Sequence, residues 1–522
     1  MKSARVIYHL ARADFLERVR RYSFLVMLGL AALLGYQTAI GNVQLQLGEY
    51  RGEFNSAWVG GMMSIIATFF IGWFGFYLVK GSVARDRETG VGQIMATTPM
   101  TRPLYTLGKW ISNFAVLMLM VVILAIFGIV IQLLSGESTQ INFSAYLLPF
   151  VFIVMPLMAL VAAVAVLFEA IPFLSGGFGN IVYFFGFIMM LPLIMERDFI
   201  NTNPAIEPMG LALLKADMTE EVLKVFPDYD NSFMLGGMDT PIIGTFTWTG
   251  IEWTPAIIAT RFAFIGLAIL LTLLAAIFFD RFDPSRAKPH SVRIKSNASP
   301  SAPIPVSTSQ ALPTPRLTPL NAAANGFSFS RVLVAELKLL LKGQRWWWYI
   351  AAAGLIIACF ANPSTTTREI VLPFAWIWPI LIWSAIGNRE IHNNVQQLTF
   401  SSASPLMRQL PAQWLAGFIV TLIMASGAAL RFTIDGDTVG LLALFSAAFF
   451  IPSLALASGV WSGTSKLFEI LYMVIWYLGP LNKVPGLDFI GSHSNGYPQM
   501  FIPFSIALIA FAVFGRSRQL RN

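Results

Sequence analysis

Cysteine is almost missing from this 522-residue chain: Cys359 is the only one, and it lies inside an apolar run. One thiol excludes an intrachain disulfide and a thiolate metal cluster. Histidine is nearly as scarce. His9, His290, His392 and His493 are scattered, and no HExxH occurs, so neither a metal site nor a hydrolytic triad has support. Charge is the third shortage: 12% of residues are charged, against about 25% in a soluble domain. No GxxxxGK[ST] loop is present, and Leu107-Gly108-Lys109 lacks both the upstream glycine and the following hydroxyl. There is therefore no backbone cradle for nucleotide phosphates. Leu174-Ser175-Gly176-Gly177-Phe178 is Gly-rich but sits in a short turn between apolar runs. The longest polar stretches are about 60 residues, too short for an enzyme core. These absences lead us to expect no catalytic residue, no cofactor, no metal and no nucleic-acid partner.

Apolar sequence is what the chain has. Hydrophobic residues make up 56% of it and the mean hydropathy is +0.67. Runs of about 20 apolar residues, the length that crosses a bilayer's hydrocarbon core, recur from end to end. The fold class expected is an all-α polytopic membrane protein with about twelve transmembrane helices. We place them at 23–43, 57–79, 110–134, 145–168, 180–195, 256–279, 347–361, 371–387, 412–430, 440–461, 467–482 and 500–515. The start is too long and too polar for a secretory signal. Residues 4–21 instead alternate basic and apolar residues at helical spacing, as an interfacial helix does. Of 35 Lys and Arg, 27 fall in segments sharing the N-terminal side, which puts both termini in the cytoplasm and the protein in the cell (inner) membrane. Charges within the spans are few. Glu169 and Glu469 read as solvated helix ends and Arg261 as a snorkelling residue. An ion-coupled transporter keeps such charges as relays, so this class is disfavoured.

Two segments interrupt the pattern. Residues 284–327 hold eight prolines, five basic residues and no acid, the composition of a disordered cytoplasmic linker. On either side lie 1–283 and 328–522, which we read as two six-span repeats, each opening on an amphipathic elbow helix. Six is even, so the repeats would be parallel. Residues 196–255 carry ten acidic against three basic residues and are expected outside the membrane, either as an ordered cap or as a surface for an extracytoplasmic partner. Within them Asp217-Met218-Thr219-Glu220 reads as a helix start, and Trp248 and Trp253 as interfacial aromatics.

The most informative stretch is polar: KGSVARDRETGVGQIMATTPMTRPLYTLGKW, residues 80–110. A degenerate copy, NREIHNNVQQLTFSSASPLMRQLPAQW, spans 388–414. We align Arg87-Glu88 with Arg389-Glu390, Asp86 with Asn388, Gly90 with His392, Gln93 with Gln397, Trp110 with Trp414 and Phe114 with Phe418. Thr97-Thr98-Pro99 meets Ser402-Ala403-Ser404-Pro405 after a two-residue shift. A polar segment kept at the same place twice points to docking of a soluble partner; the alternative is a solvated loop with a helix-capping carboxylate. An elbow helix, two spans, the form DRE-x-G-x-x-x-Q-x-x-x-[TS][TS]-P and four further spans together resemble the permeases of type-2 ABC exporters. The resemblance implies a coupling helix that docks into a separate ATPase subunit, with the ATPase activity residing there. It implies two copies of that subunit, and ATPase-coupling roles for Asp86, Arg87, Glu88, Gln93, Asn388, Arg389, Glu390 and Gln397. A membrane scaffold that passes ATPase motion to an extracytoplasmic partner, without transport, is the alternative.

Overall fold

The computed structural model describes residues 2–282 and 328–521 apart from 136, 139, 196–205, 237–240, 343, 345, 403, 483 and 493–496. The expected linker 284–327 lies outside the described residues. The chain divides into two units, Met1–Arg286 and Ala287–Asn522.

In the first unit α1 (Lys2–Val19) and α2 (Tyr22–Ala39) meet at a bend of 70°, as an elbow helix followed by a span should. Next come α3 (Ser56–Val79), α4 (Ser82–Glu88), α5 (Val91–Ala96) and α6 (Arg102–Ser135). Then α7 (Phe143–Pro149) runs through a π-helical turn, Phe150–Val154, into α8 (Met155–Ala170). The unit closes with α9 (Gly177–Met195), α10 (Leu211–Val225) and α11 (Pro255–Phe278). Side-chain caps set several starts: Asn55 accepts from the Trp58 N–H, and Thr254 from the Ile257 N–H with Pro255 at the first helical position. α3 is central and mostly buried. In hydrocarbon, helices gain nothing by hiding apolar surface from lipid, so close backbone approach must supply the packing. Gly60 supplies it here: a Cβ would stand 2.6 Å from the Tyr146 carbonyl oxygen.

The second unit holds α12 (Phe329–Leu341), α13 (Trp346–Ala361), α14 (Arg389–His392), α15 (Gln396–Phe400), α16 (Pro405–Asp435), α17 (Thr438–Ser462), α18 (Lys466–Trp476) and α19 (Phe501–Arg521). Between α13 and α14 the chain is helical only in pieces: a π turn at Thr367–Val371, then Leu372–Ile377 and Ile380–Trp383, with Pro373 and Pro379 at the breaks. Aromatic donors satisfy the carbonyls that those breaks release: Trp476 Nε1 donates to Pro373 O at 2.8 Å and the Tyr472 hydroxyl to Trp376 O at 2.9 Å.

Among the described residues seven helices are long and apolar enough to cross a membrane, eight if the bent pair is one span. The chain is thus a mostly helical, multi-pass membrane protein. The expected spans 180–195 and 347–361 fall on shorter apolar helices, and 371–387 and 467–482 on helices broken by proline or a π turn.

The segment expected outside the membrane departs most from the sequence reading. It is not all helical. β1 (Gln44–Leu47) and β2 (Tyr50–Gly52) form a hairpin, flanked by β3 (Phe233–Gly236) antiparallel to β1 and β4 (Gly244–Phe246) parallel to β2. Helix α10 starts after left-handed Gly210, so Asp217 lies inside it rather than at its start. Trp248 is fully buried, not interfacial, and its Nε1 donates to Asp217 Oδ1 at 2.6 Å. Arg261 does not snorkel. It is fully buried and donates to the Glu207 carbonyl at 2.7 Å, while the Glu207 carboxylate accepts the Leu211 N–H at 2.8 Å.

Burial pushes the Asp217 carboxyl up; the Trp248 N–H only partly offsets this, and Glu221, Glu220 and Glu252 add to it. A raised carboxyl favours the protonated folded form, so its contribution is greatest at low pH and declines as pH rises through the folded value. Asp217→Asn keeps the acceptor without the charge. Its melting temperature in detergent should equal or exceed that of the wild type at neutral pH and lose this decline. Asp217→Leu, which strands the Trp248 N–H, should cost about 1–3 kcal/mol.

Candidate functional site

The polar stretch after α3 folds as a short helical hairpin. Gly81 (φ +111°) breaks the long helix before α4, and Gly90 (φ +75°) separates α4 from α5; both need the left-handed region that glycine enters freely. The first turn of α4 would leave its N–H groups unpaired. Glu169 takes them: one carboxylate oxygen accepts from Gly81 N at 2.6 Å and Ser82 N at 3.0 Å, the other from Val83 N at 2.5 Å and Ala84 N at 3.2 Å. Glu169 is therefore a buried capping group and not a solvated helix end, at the pole of the helix dipole that favours an anion. Glu469 is likewise buried.

Beneath α4 lies a chain of buried charges. Lys109 is fully buried and its Nζ stands 2.8 Å from Asp14 on α1 and 2.6 Å from Asp86 on α4. The Tyr105 hydroxyl donates to Asp86 at 2.8 Å. Arg18 pairs with Asp14 at 3.3 Å and also donates to Asn113; Arg85 reaches Asp14 at 3.0 Å and pairs with Glu17. Three acids thus meet three bases, and elbow, hairpin and α6 are joined by one network. Burial drives the Asp14 carboxyl up, but Lys109, Arg18 and Arg85 outweigh it and hold it below the usual carboxylate range.

Residues 389–413 make parallel contacts in the second unit at an offset of 304 residues from the hairpin and α6, the spacing of Gln93 and Gln397, while the acid that meets them from the preceding helix lies at another offset. Asp86 takes its bonds from Tyr105 and Lys109; Glu390 takes its own from Gln409, at 2.8 Å, and Gln413. Arg85 binds Asp14 of the elbow, and Arg389 binds Glu336 of α12. Thr89 Oγ1 donates to Arg85 O, and Asn393 Nδ2 to Arg389 O. Left-handed Gly90 is answered by left-handed Asn394. The Thr97 and Thr98 hydroxyls bond back to Ile94 and Met95, those of Ser401 and Ser402 to Leu398 and Thr399. The sequence alignment of Arg87-Glu88 with Arg389-Glu390 is therefore two residues out. The counterparts of Arg389-Glu390 are Arg85-Asp86, that of Gly90 is Asn394, and no shift intervenes before Ser401-Ser402.

The eight candidate residues consequently separate. Glu88, Gln93 and Gln397 are exposed, as is Arg87, which pairs with Asp280 at 2.9 Å. Asp86, Asn388 and Glu390 are buried and Arg389 is largely so; Asp86, Arg389 and Glu390 are bonded within the networks, and Asn388 donates to the Ser384 carbonyl. Sequence reasoning passed over what stands out beside them: Val91 and Ile94 on α5, Val395 and Leu398 on and before α15. Ile94 is 68% exposed and Leu398 77%. Each pair brackets Gln93 or Gln397 at corresponding positions. The signal was present as V-x-x-[I/L] after a left-handed residue.

Among the exchanges between the two hairpins, one changes the charge at the centre. Where Lys109 stands in the first, the second has neutral Gln413, and Arg516 from α19 reaches Glu390 at 3.4 Å instead. The elbow carboxyl responds: burial pushes Glu336 up, Arg389 offsets this only in part, and Glu390 adds to the rise.

A family model described as ABC-2 family transporter protein matches residues 8–283, just over half of the chain. That stretch contains the whole first network and both of its short helices. Searches of curated proteins and of solved structures return no match.

Lys109→Gln should leave buried Asp86 without its close cation, while Asp14 keeps Arg18 and Arg85, and destabilise the protein by about 3 kcal/mol, read as thermal unfolding in detergent. The pH dependence should flatten. In the wild type the depressed Asp14 contributes stability that is lost only as pH falls through its low folded value. In the variant Asp14 loses one of its three cations and should move towards the ordinary carboxylate range, so less stability is lost on acidification. Asp86→Asn/Lys109→Gln should recover part of the loss.

Proposed function

The chain belongs to the ABC-2 family of transporter proteins, and on that premise we propose that it is the membrane-spanning permease of an ATP-driven export system, receiving one ATPase subunit on each of two coupling hairpins. Membership makes it a multi-pass membrane component of a transporter, without an ATPase domain of its own, that associates with ABC ATPase subunits. The export direction, the two docking sites, the twelve-span arrangement of two fused parallel repeats and the cytoplasmic termini in the inner membrane are our reading.

One observation carries it. At a fixed offset the chain twice presents an exposed Val and Ile or Leu pair around a glutamine, on a short helix whose base is locked by buried charge. An apolar pair left in water on a rigid mount is unfavourable unless a partner covers it. A rigid mount also suits force transfer, because a flexible loop would absorb the displacement. Arg87, Glu88, Gln93 and Gln397 would form the polar rim, while Asp86, Asn388, Arg389 and Glu390 hold the mounts. Opening and closing of the ATPase pair would then move α4 and α5, and through Lys109 the elbow and α6.

The scaffold reading keeps one supporting observation, the folded cap built from residues 44–52, 206–236 and 241–254. Replacing the cap's exposed Ile243 and Leu223 with serine should leave ATP-dependent flux intact if the protein transports; loss of an outer partner with flux unchanged from zero would favour the scaffold.

Docking is tested by Ile94→Asp and Leu398→Asp. Each places a charge in an apolar contact and should weaken ATPase binding by about 2 kcal/mol, roughly thirtyfold, measured as co-purification and titration of the ATPase from the native membrane. The double variant should lose it. ATPase retained at wild-type affinity by all three variants contradicts the reading.

A further inference from the structure

The chain leaves α11 in a conformation that nothing in a simple linker start requires. Phe279 stacks on Tyr105 at 4.7 Å. Arg281 and Phe282 then both adopt the left-handed region, with φ of 55° and 61°, unfavourable for any residue with a Cβ and rare for phenylalanine. Such backbone persists only where surrounding contacts fix it, and each of three successive residues makes one to the coupling hairpin. Asp280 accepts from Arg87 of α4 at 2.9 and 3.0 Å, and from its own chain at Phe282 N. Arg281 donates to Thr98 O at 2.8 Å, two residues past α5, and to Ala96 O at 3.4 Å, on the last residue of α5, where a helix leaves its carbonyls without helical partners. A cation there also meets the negative pole of the helix. Phe282 is buried, edge-on to Tyr105 at 5.5 Å, and fills the place where a side chain on Gly92 would be, with a Cβ 2.6 Å from its ring.

We propose that Asp280-Arg281-Phe282 is a strained hook that positions α5 and passes its displacement to α11. The inference rests on the reading of α5 as a coupling helix. Without the hook, α5 would join the membrane domain through α4, the Thr98–Thr101 turn and the apolar packing of Met95 and Ala96 against a cluster that includes Ala275 and Phe279, and would lose its polar and ring contacts to the base of α11. The hook grips both sides of the hairpin, at Arg87 and at the end of α5, so rotation of α5 pulls directly on the base of α11. The second unit supports this from different chemistry. There the last helix also holds its hairpin, through Arg516, which donates to Gly387 O at 3.3 Å and lies 4.7 Å over the Phe400 ring. The residues are unrelated, yet the mechanical connection is the same. Asp280, Arg281 and Phe282 are positioning residues, since the contact with the ATPase belongs to α5.

Two variants test the hook. Phe282→Ala empties the site under Gly92; Arg281→Gly removes the guanidinium bonds and relieves the left-handed strain while leaving the ring. In the purified chain, amide exchange of residues 91–96 should accelerate about tenfold or more in each, with residues 396–400 unchanged. In the complex with its ATPase, a polarity-sensitive fluorophore on Ile277→Cys at the end of α11, in a Cys359→Ser background, should report a shift on adding a non-hydrolysable ATP analogue. That shift should be lost in both variants although the ATPase remains bound. Unchanged exchange at 91–96, or a full α11 response in both variants, overturns the hook. Should Phe282→Ala fail to fold, Arg281→Gly decides alone. Should the wild-type chain capture no ATPase, the permease reading fails while the exchange measurement still judges the hook.

Discussion

A lysine ammonium placed between two carboxylates, out of reach of water, is the interaction on which the first unit depends. Lys109 touches Asp14 and Asp86 together, and with it three elements distant in sequence become one body. Isolated burial of any of these charges would cost several kcal/mol; only the balanced set, with Tyr105 and Arg85 completing the bonds, is tolerable. The constraint is geometric as well as energetic. The elbow can shift only if the hairpin and α6 shift with it, because separating them exposes an unpaired charge to an apolar surrounding. A stroke applied to α5 therefore has a stiff path into the membrane.

The second unit shows what happens when that cation is withdrawn. With Gln413 in the lysine's place, Glu390 is held by two glutamines and by Arg516 from the last helix. The elbow acid Glu336, drawn down by Arg389 but raised by Glu390, lies above its ordinary range while Asp14 lies below. The two mounts have the same plan but different electrostatics, so the halves of the protein are not interchangeable even where their exposed surfaces match.

Much of the fold was legible because lipid imposes a strong signal. α3, α6, α8, α11, α16, α17 and α19 all fall on apolar runs read from sequence, and the elbow on an amphipathic one. Proline blurred the runs at Pro373 and Pro379, where carbonyls freed by the break are satisfied by Trp476 and Tyr472 from far along the chain, a compensation no local pattern reveals. The sheet was missed although Gln44-Leu45-Gln46-Leu47 alternates strictly, because four residues are the shortest run on which alternation argues a strand and the partner strand β3 lies far along the chain. Trp248 and Arg261 were misplaced for one reason: composition cannot tell a residue at a membrane surface from one buried within, or against, a folded cap. At the site, identity misled where geometry would not have. The match of Arg-Glu to Arg-Glu drew the alignment two residues off, while Gln93, Trp110 and Phe114 already kept the 304-residue offset. Lys109 was read as part of a failed phosphate loop and of the family-like segment, but not as a buried cation, since its partners on α1 and α4 are assembled by tertiary structure.

The central claim is that α5 and the segment at 395–400 face ATPase subunits, and site-specific photo-crosslinking tests it most directly. A photoreactive residue at Gln93 or at Gln397, both exposed beside the apolar pairs, is irradiated in native membranes and the adduct identified by mass spectrometry. The account expects each position to trap a nucleotide-binding subunit, with the yield changing when ATP is added. Adducts to lipid or to other proteins alone, at both positions and in both nucleotide states, would contradict it.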